Sequence, residues 1–574
     1  MSGKLCLGID AGGTHTDAAL LRVGGAGTTL LARAKVRTRH DDLTASVREA
    51  LASLGGELGA DRADIFAAMG GVTLGATLAV NALVQGKTDA VGLALSAGPG
   101  LNPLRFAIGE HVRVVSGGLD HRGIEIRPLE TRELASAAIG WRKQGVSACA
   151  CIGKFSPRNP AHERAMGKTA TECGFSVTQG HRLSGCLNFP RRIATAYYNA
   201  AVERLHLAFL DAVEQAMAGA GIRAPAFLLK ADGGAVPLSL SRRCPVQSIL
   251  SGPAASVMGI LALCPSVARG CSLLLDMGGT TTDIALVMDG SPVTDRDGML
   301  LNGRRTLVRS LAAVSVGVGG DSLLTADTAG VHAGPLRKGP AMAFGGDRPT
   351  LLDALNFLNA PAGAPVAGDM AASRRGIVDL AAGAPDFAGS ATELAEAAVR
   401  DGLERIRQAA DALVARVNAR PVYTLAALRA ARGAAPERLV LVGGPAGCVR
   451  GRLENSLRLP AESPAHADVA NAVGAALALP TASLEIYADT GQGILRAPAL
   501  DLEERIGRSF TLEAARLRCA ELLAAHLAEE GVPDASVEVL EADLFATLSD
   551  GGHGARDIRV ACQAVPGLAG GLRP

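Results

Sequence analysis

Residues 10–17 read DAGGTHTD and residues 276–283 read DMGGTTTD, so one D-x-G-G-T-x-T-D pattern occurs twice, each copy followed shortly by an Ala-Leu pair. Apolar runs flank both copies, which predicts a strand, a Gly-Gly turn and a second strand in each. A nucleoside triphosphate needs donors for its phosphates and carboxylates for its magnesium ion. Gly12, Gly13 and Thr14, and Gly278, Gly279, Thr280 and Thr281, can bring backbone N–H groups against phosphate oxygens where no Cβ blocks the approach. Threonine hydroxyls, Thr16 included, add donors. Asp10 and Asp276 end the first strands and are the expected metal and catalytic carboxylates, since Mg²⁺ commonly takes only one or two protein carboxylates plus water. Asp17 and Asp283, at the start of the second strands, are expected to fix the hairpins. One copy alone reads equally as a plain hairpin; two copies with the same Asp, Gly and Thr positions point to a shared ligand.

Other chemistry is thinner. No G-x-x-x-x-G-K-[ST] sequence occurs at either turn and no G-x-S-x-G elbow is present, while Ser251 in LSGPA has no identifiable His partner. Asp232, in the Asp232-Gly233-Gly234 turn, is a third catalytic candidate for orienting a nucleophile, with capping of its own turn as the alternative. The Gly317–Gly320 stretch either approaches a ligand or is only a flexible turn. Cys149 and Cys151 have the spacing of neither a zinc knuckle nor a thioredoxin motif, and His162 in NPAHER reads as a helix-start residue before a metal ligand. Beyond the paired turns there is no evident metal cluster or nucleophile–base pair.

The elements that must hold these residues alternate between strand and helix. Residues 44–54 have helical spacing, 90–95 and 146–152 read as buried strands, and a helix over 199–219 leads to a strand at 226–230. Residues 360–390, rich in Ala, Gly and Pro, read as a surface connection before a helix over 392–419; a strand at 438–442 runs into the Gly443–Gly447 loop. After Pro480 the pattern becomes one helix flanked by short strands. The resulting division is 1–185, 186–480 and 481–574, an α/β architecture with a small C-terminal α+β domain. The 574 residues give a prior of roughly three or four domains. Lys and Arg number 57 against 56 Asp and Glu, so the broad basic field of a nucleic-acid or anionic-membrane binder is missing. Aromatics are 3% of the chain, too few for base-stacking surfaces. The scattered cysteines, the early interruption of the N-terminal apolar run by Asp10 and the lack of a long apolar stretch give the expectation of a cytoplasmic protein without a membrane span.

With these residues in view, the chain resembles the actin, sugar-kinase and Hsp70 superfamily, and within it the A-type subunits of the hydantoinase/oxoprolinase family. The likeness is carried by GIDAGGTHTD at 8–17, TLGATLAVNALVQGK at 73–87, NPAHER at 159–164 and ADGGAVPL at 231–238. It continues through PVQSILSGPAASV at 245–257, LDMGGTTTDIALV at 275–287, GDRPTLLDALNFL at 346–358 and GGPAG at 443–447. The resemblance implies duplicated actin-like (ribonuclease H-like) ATPase domains around a central nucleotide cleft. It makes Gly443 and Gly444 part of an adenosine loop backed by a helix over 465–477, and ATP with Mg²⁺ the cofactors. Departures are His15, where the family usually has a bulky aromatic, a loose match over 312–321, and a shorter chain after residue 330.

The function implied is ATP-dependent activation of a cyclic amide, such as a hydantoin or 5-oxoproline, by phosphoryl transfer for ring opening, completed by a B-type partner subunit. Two other readings stand beside it: a small-molecule kinase of the same superfamily, and an ATP-driven reactivating chaperone resembling that of diol dehydratase. A homo-oligomer is compatible with all three.

Overall fold

The computed structural model describes residues 3–572 apart from 26, 40–41, 77–78, 80–81, 84–85, 296, 328–329, 385–386, 388, 420–432 and 548–554. The 73–87 motif therefore falls partly outside the described residues.

Two sheets share one plan. In the first, Gly27–Arg37, His15–Gly24, Lys4–Ala11, Met69–Ala76 and Ala226–Leu229 lie in that spatial order, and Ala235–Pro237 adds an edge. In the second the order is Ala313–Val316, Thr282–Met288, Cys271–Met277, Arg438–Val442 and Ala461–Glu462. In both, the first three strands pair antiparallel and the last two join parallel. Parallel neighbours need a long crossover. The crossover between Met69–Ala76 and Ala226–Leu229 carries an inserted domain whose four parallel strands lie in the order Ser176–Gln179, Ala148–Gly153, Val91–Ser96, Val112–Val114. The boundary expected at residue 185 accordingly divides the first sheet, because strand 226–229 completes it from the far side of the insertion.

Strand parity explains how the halves meet. Leu7, Ile9, Ala18 and Leu20 pack on one face of the first sheet, in the core that holds Val47, Leu51 and Leu54 of helix Leu43–Leu58. Cys6, Ala19 and Leu21 point to the other face, against Ala472, Val473 and Ala476 of helix Ala470–Leu477. Both faces are covered, so the strands read as continuous apolar runs. In the second sheet Leu273, Leu275 and Met277 enter the core that holds helix Ala391–Asn418, while Leu274 faces Ala254, Val257 and Ile260 of helix Ser251–Leu263. Helices Ser251–Leu263 and Ala470–Leu477 thus lie between the two sheets. A Cβ at Gly8 would stand 1.8 Å from the Ala472 carbonyl oxygen, and one at Gly474 would stand 2.3 Å from the Gly259 nitrogen. The layers touch backbone to backbone.

The C-terminal domain is a five-stranded antiparallel sheet with helix Leu512–Glu529 packed on it through Ala515, Cys519, Leu523 and Leu527. Its strands Val537–Thr547 and Ala555–Ala564 are longer than the short strands expected. Three other expectations shift. The helix before strand 226–229 begins at Phe189, capped by Asn188; the adenosine-side helix is a 3₁₀ turn at Ala467–Val469 followed by Ala470–Leu477. Residues 360–390 contain helix Met370–Ala382, with Asp369 accepting from the Ala371 and Ala372 nitrogens; alanine favours helix, and the Gly/Pro content around it hid the cap. None of the eleven cysteines is disulfide-bonded, and among the described residues no helix is long and apolar enough to cross a membrane.

The helix crossing gives a stability test. Gly474→Val must push backbone against backbone, so it is expected to cost about 3 kcal/mol, the upper end for an overpacked core. Urea unfolding of the variant against the parent chain measures it.

Candidate functional site

The two hairpins have the same register: Asp10 lies opposite Asp17 in one and Asp276 opposite Asp283 in the other. Each turn is closed by the same bond, Gly12 N–H to the His15 carbonyl at 3.0 Å and Gly278 N–H to the Thr281 carbonyl at 2.9 Å. Thr14 Oγ1 lies 3.3 Å from where a Cβ on Gly279 would stand, so the turns face one another. Space beside Gly13 and Gly444 is open to at least 4 Å from an added Cβ.

Asp10 shares its strand face with Gly8, and the helix that sits on Gly8 carries Asn471. The Asn471 amide donates to Asp10 Oδ2 and to Asp276 Oδ2, each at 3.2 Å. An amide NH₂ has two N–H donors, one for each carboxylate. Ser256, on the neighbouring helix, donates to Asp276 Oδ2 at 2.5 Å. Asp10 Oδ1 is buried with no hydrogen-bond partner. Burial first, and then the Asp17 carboxylate opposite, push the Asp10 carboxyl up to about 7. Burial likewise pushes Asp283 up to about 7 and Asp17 up to about 6, the latter held back by Lys35, whose Nζ is 2.8 Å from Asp17 Oδ1. These are carboxylates crowded at two strand ends with one nearby ammonium, an arrangement that a hard divalent cation with oxygen ligands would relieve.

Gly443, at φ +96°, would put a Cβ 2.3 Å from the Met277 carbonyl oxygen and 2.7 Å from Asp276 Oδ1; only glycine lets this loop close on the second strand end. The 317–321 segment is a turn packed on the second hairpin: Gly320 N–H and Asp321 N–H donate to the Gly278 and Gly279 carbonyls at 2.9 and 2.7 Å.

The sequence-derived residues do not all meet here. Gly12 to Thr14, Gly278 to Thr281, Asp10, Asp276, Gly443 and Gly444 converge. Thr16 does not present its hydroxyl to the open side: it is fully buried, with Oγ1 3.0 Å from Thr38 Oγ1, and its counterpart Thr282 donates to the Val318 carbonyl. Thr14 lies in the turn before strand His15–Gly24, whereas Thr16 is inside it on the face of Ala18 and Leu20. Asp232 lies past the end of a strand two places along the sheet from Lys4–Ala11, about 10 Å sideways at ordinary strand spacing. It caps its own turn, accepting from Gly234 N–H and pairing with Lys230 Nζ, both at 3.0 Å. Ser251 donates to the Ala76 carbonyl and so pins the end of strand Met69–Ala76.

Sequence reasoning missed Asn471, Ser256 and the Asp321–Arg337 pair, whose carboxylate lies 2.5 Å from where a Gly279 Cβ would stand. No spacing rule marks an amide that meets its partners only through tertiary packing. A nucleophile–base arrangement was also missed: Ser96 Oγ is 3.1 Å from His162 Nδ1, and His162 Nε2 is 2.8 Å from Glu125 Oε1. Ser96 and His162 are each 3% exposed, so this chain ties a strand end to helix Ala161–Glu172.

The two like-planned sheets and the paired turns define a duplicated actin-like fold. The hydantoinase/oxoprolinase profile matches residues 192–483 and that of the hydantoinase/oxoprolinase N-terminal region matches residues 6–174. The chain belongs to the hydantoinase/oxoprolinase family. It is 28% identical over 407 residues to caprolactamase subunit alpha of Pseudomonas jessenii, covering 65% of this chain and 57% of that subunit, so it spans about half the length of this curated relative. The crystal structure of the ATP-dependent caprolactamase from the same organism superposes with a TM-score of 0.70 at 22% identity, over 97% of this chain and 87% of that one. Nucleotide-free acetone carboxylase gives 0.74 at 16% identity, over 98% and 88%. At these identities the two structures are likenesses of fold.

The bridge yields a test. Asn471→Leu removes the amide between the two carboxylates and is expected to lower Mg²⁺-nucleotide affinity or ATP turnover about ten- to hundredfold with the fold retained by circular dichroism. Unchanged binding and turnover would make the bridge purely structural.

Proposed function

We propose that this chain is the ATP-binding component of an ATP-dependent amidohydrolase that activates a cyclic amide by phosphoryl transfer. The observation that carries the reading is the meeting of both strand-end aspartates at one amide, below two facing Gly-Gly-Thr turns. Nucleotide phosphates lie between the turns, with Gly12 to Thr14 on one side and Gly278 to Thr281 on the other, and the adenosine lies toward Gly443 and Gly444. Asp10 and Asp276 would hold Mg²⁺; the unpartnered Asp10 Oδ1 and the all-oxygen donor set fit such a cation. Such an ion would supply positive charge to offset that of the phosphates.

An amide carbonyl is a poor electrophile because nitrogen donates density into it. Transfer of the γ-phosphoryl group to the carbonyl oxygen gives an O-phosphorylated species and ADP; a first water attacks the carbon and the ring C–N bond breaks, the nitrogen leaving as the amine, and a second water hydrolyses the resulting acyl phosphate to carboxylate and phosphate. Positioning and charge stabilisation suffice for the first step, and turn N–H groups can provide both. A B-type partner subunit completes the second step; the named caprolactamase relative is itself one subunit, alpha, of its enzyme. The compartment proposed is the cytoplasm, consistent with eleven unpaired cysteines.

Asp10→Asn and Asp276→Asn should each lower Mg²⁺-dependent ATP turnover about a hundredfold, mainly in kcat, because the adenosine contacts remain. Purified chain with ATP, Mg²⁺ and a panel of lactams and hydantoins, with and without a B-type partner, should show ring opening only with the partner. A stable phosphorylated product would establish the kinase reading, and ATP turnover that answers to a protein client but to no lactam would establish the chaperone reading.

A further inference from the structure

The contact between the inserted domain and the C-terminal domain encloses two adjoining cavities that share Gly185 and Glu485 in their walls. The inner one reaches Lys230 and Asp232 of the Asp-Gly-Gly turn. The outer one, of about 220 Å³, has apolar walls from Leu187, Pro498 and Phe545. Among the described residues ten buried side-chain nitrogen or oxygen atoms lack a hydrogen-bond partner, and four of them belong to residues lining this outer cavity: Glu485 Oε2, Tyr487 Oη, Arg158 Nε and Arg559 Nε. Such orphans call for an explanation, and several at one apolar cavity suggest groups kept for a ligand.

Their surroundings define the ligand. Glu485 Oε1 is 3.7 Å from Arg559 Nη2, which leaves Oε2 as a free acceptor, and burial holds the Glu485 carboxyl above its ordinary range. Tyr487, 8% exposed, faces the Asp557 carboxylate. Arg158 pairs with Asp557 at 3.3 Å and Arg559 with Glu541 at 3.2 Å, so both guanidinium charges are already matched. Against two arginines the lining sets Glu485, Asp543 and Asp557, an excess of acid that repels an anion. Gly185 keeps the junction between the cavities open: a Cβ there would stand 2.9 Å from Glu485 Oε2.

We propose that the outer cavity is a holding subsite, apart from the phosphate turns, for a neutral cyclic amide, whose N–H donates to Glu485 Oε2, whose carbonyl oxygen accepts from Arg559 Nε, and whose ring methylenes lie on the apolar walls. The assignment rests on the lactam-activation reading and names where the amide is held and which charge it carries. It distinguishes substrates that share a ring. A lactam bearing a carboxylate meets three acidic side chains and binds more weakly than its uncharged analogue.

The test uses the full chain with Mg²⁺ and ADP, titrated calorimetrically with 2-pyrrolidinone and with 5-oxoproline, which share a lactam ring and differ by a carboxylate. The uncharged ring should bind, and the carboxylate-bearing one about tenfold more weakly. Gly185→Val and Glu485→Ala should each weaken 2-pyrrolidinone about tenfold with the fold retained by circular dichroism; Glu485→Ala carries the test if Gly185→Val does not fold. Equal affinity for the two lactams, or unchanged affinity in the folded variants, overturns the subsite. Failure of both lactams to bind while a neutral lactam stimulates ATP turnover with the partner present overturns the subsite and leaves the lactam-activation reading standing. Absence of any lactam-stimulated turnover removes that reading, and the subsite with it.

Discussion

Two carboxylates brought to the same point, one of them buried, repel each other, and that repulsion is the constraint around which this chain is arranged. Asp10 and Asp276 end the central strands of different sheets, each faces another aspartate across its own hairpin, and one side-chain amide joins them. In a low-dielectric environment such a cluster favours protonation or a cation, which is the direction in which Asp10, Asp17 and Asp283 are all displaced. Stability without ligand is thereby reduced in favour of affinity for something positively charged that also brings acceptors for the turn N–H groups. A metal–nucleotide complex has both properties.

The rest of the central architecture follows from placing that point between two halves. Asn471 reaches both aspartates only because its helix lies directly on the first sheet at Gly8 and directly on the neighbouring helix at Gly259 and Gly474. Ser256 reaches Asp276 from that neighbouring helix. The Gly443 loop then closes over the second strand end, where any side chain would collide with Met277 and Asp276. Bare positions in strand, helix and loop therefore serve one geometry, and a shift of either helix moves the groups that hold the aspartates.

Much of this was legible in the sequence because it rests on local pattern. The repeated octet fixes residue types, turn and strand parity together, so both hairpins and their aspartates could be read directly. The strand at Arg438–Val442 and the long helix beginning near residue 391 also carry their own period and caps. What could not be read depends on distant segments meeting. Strand Ala226–Leu229 joins the first sheet across the whole inserted domain, so a linear boundary at 185 misplaces it. Thr16 carries the same side chain as Thr14, and only the meeting with Thr38, just past the neighbouring strand, shows that its hydroxyl is buried. Asn471 sits in an Ala-rich helix where nothing in its neighbours marks it, and Glu485 becomes notable only when the C-terminal sheet closes against the inserted domain.

The central claim is that the duplicated hairpins form one site for a metal–nucleotide complex. Its most direct test is a crystal grown with Mn²⁺ and a non-hydrolysable ATP analogue, with anomalous scattering locating the metal. The account predicts a peak between the Asp10 and Asp276 carboxylates, with the analogue's phosphates against Gly12 to Thr14 and Gly278 to Thr281. A nucleotide bound elsewhere, or a metal peak away from both aspartates, would contradict it.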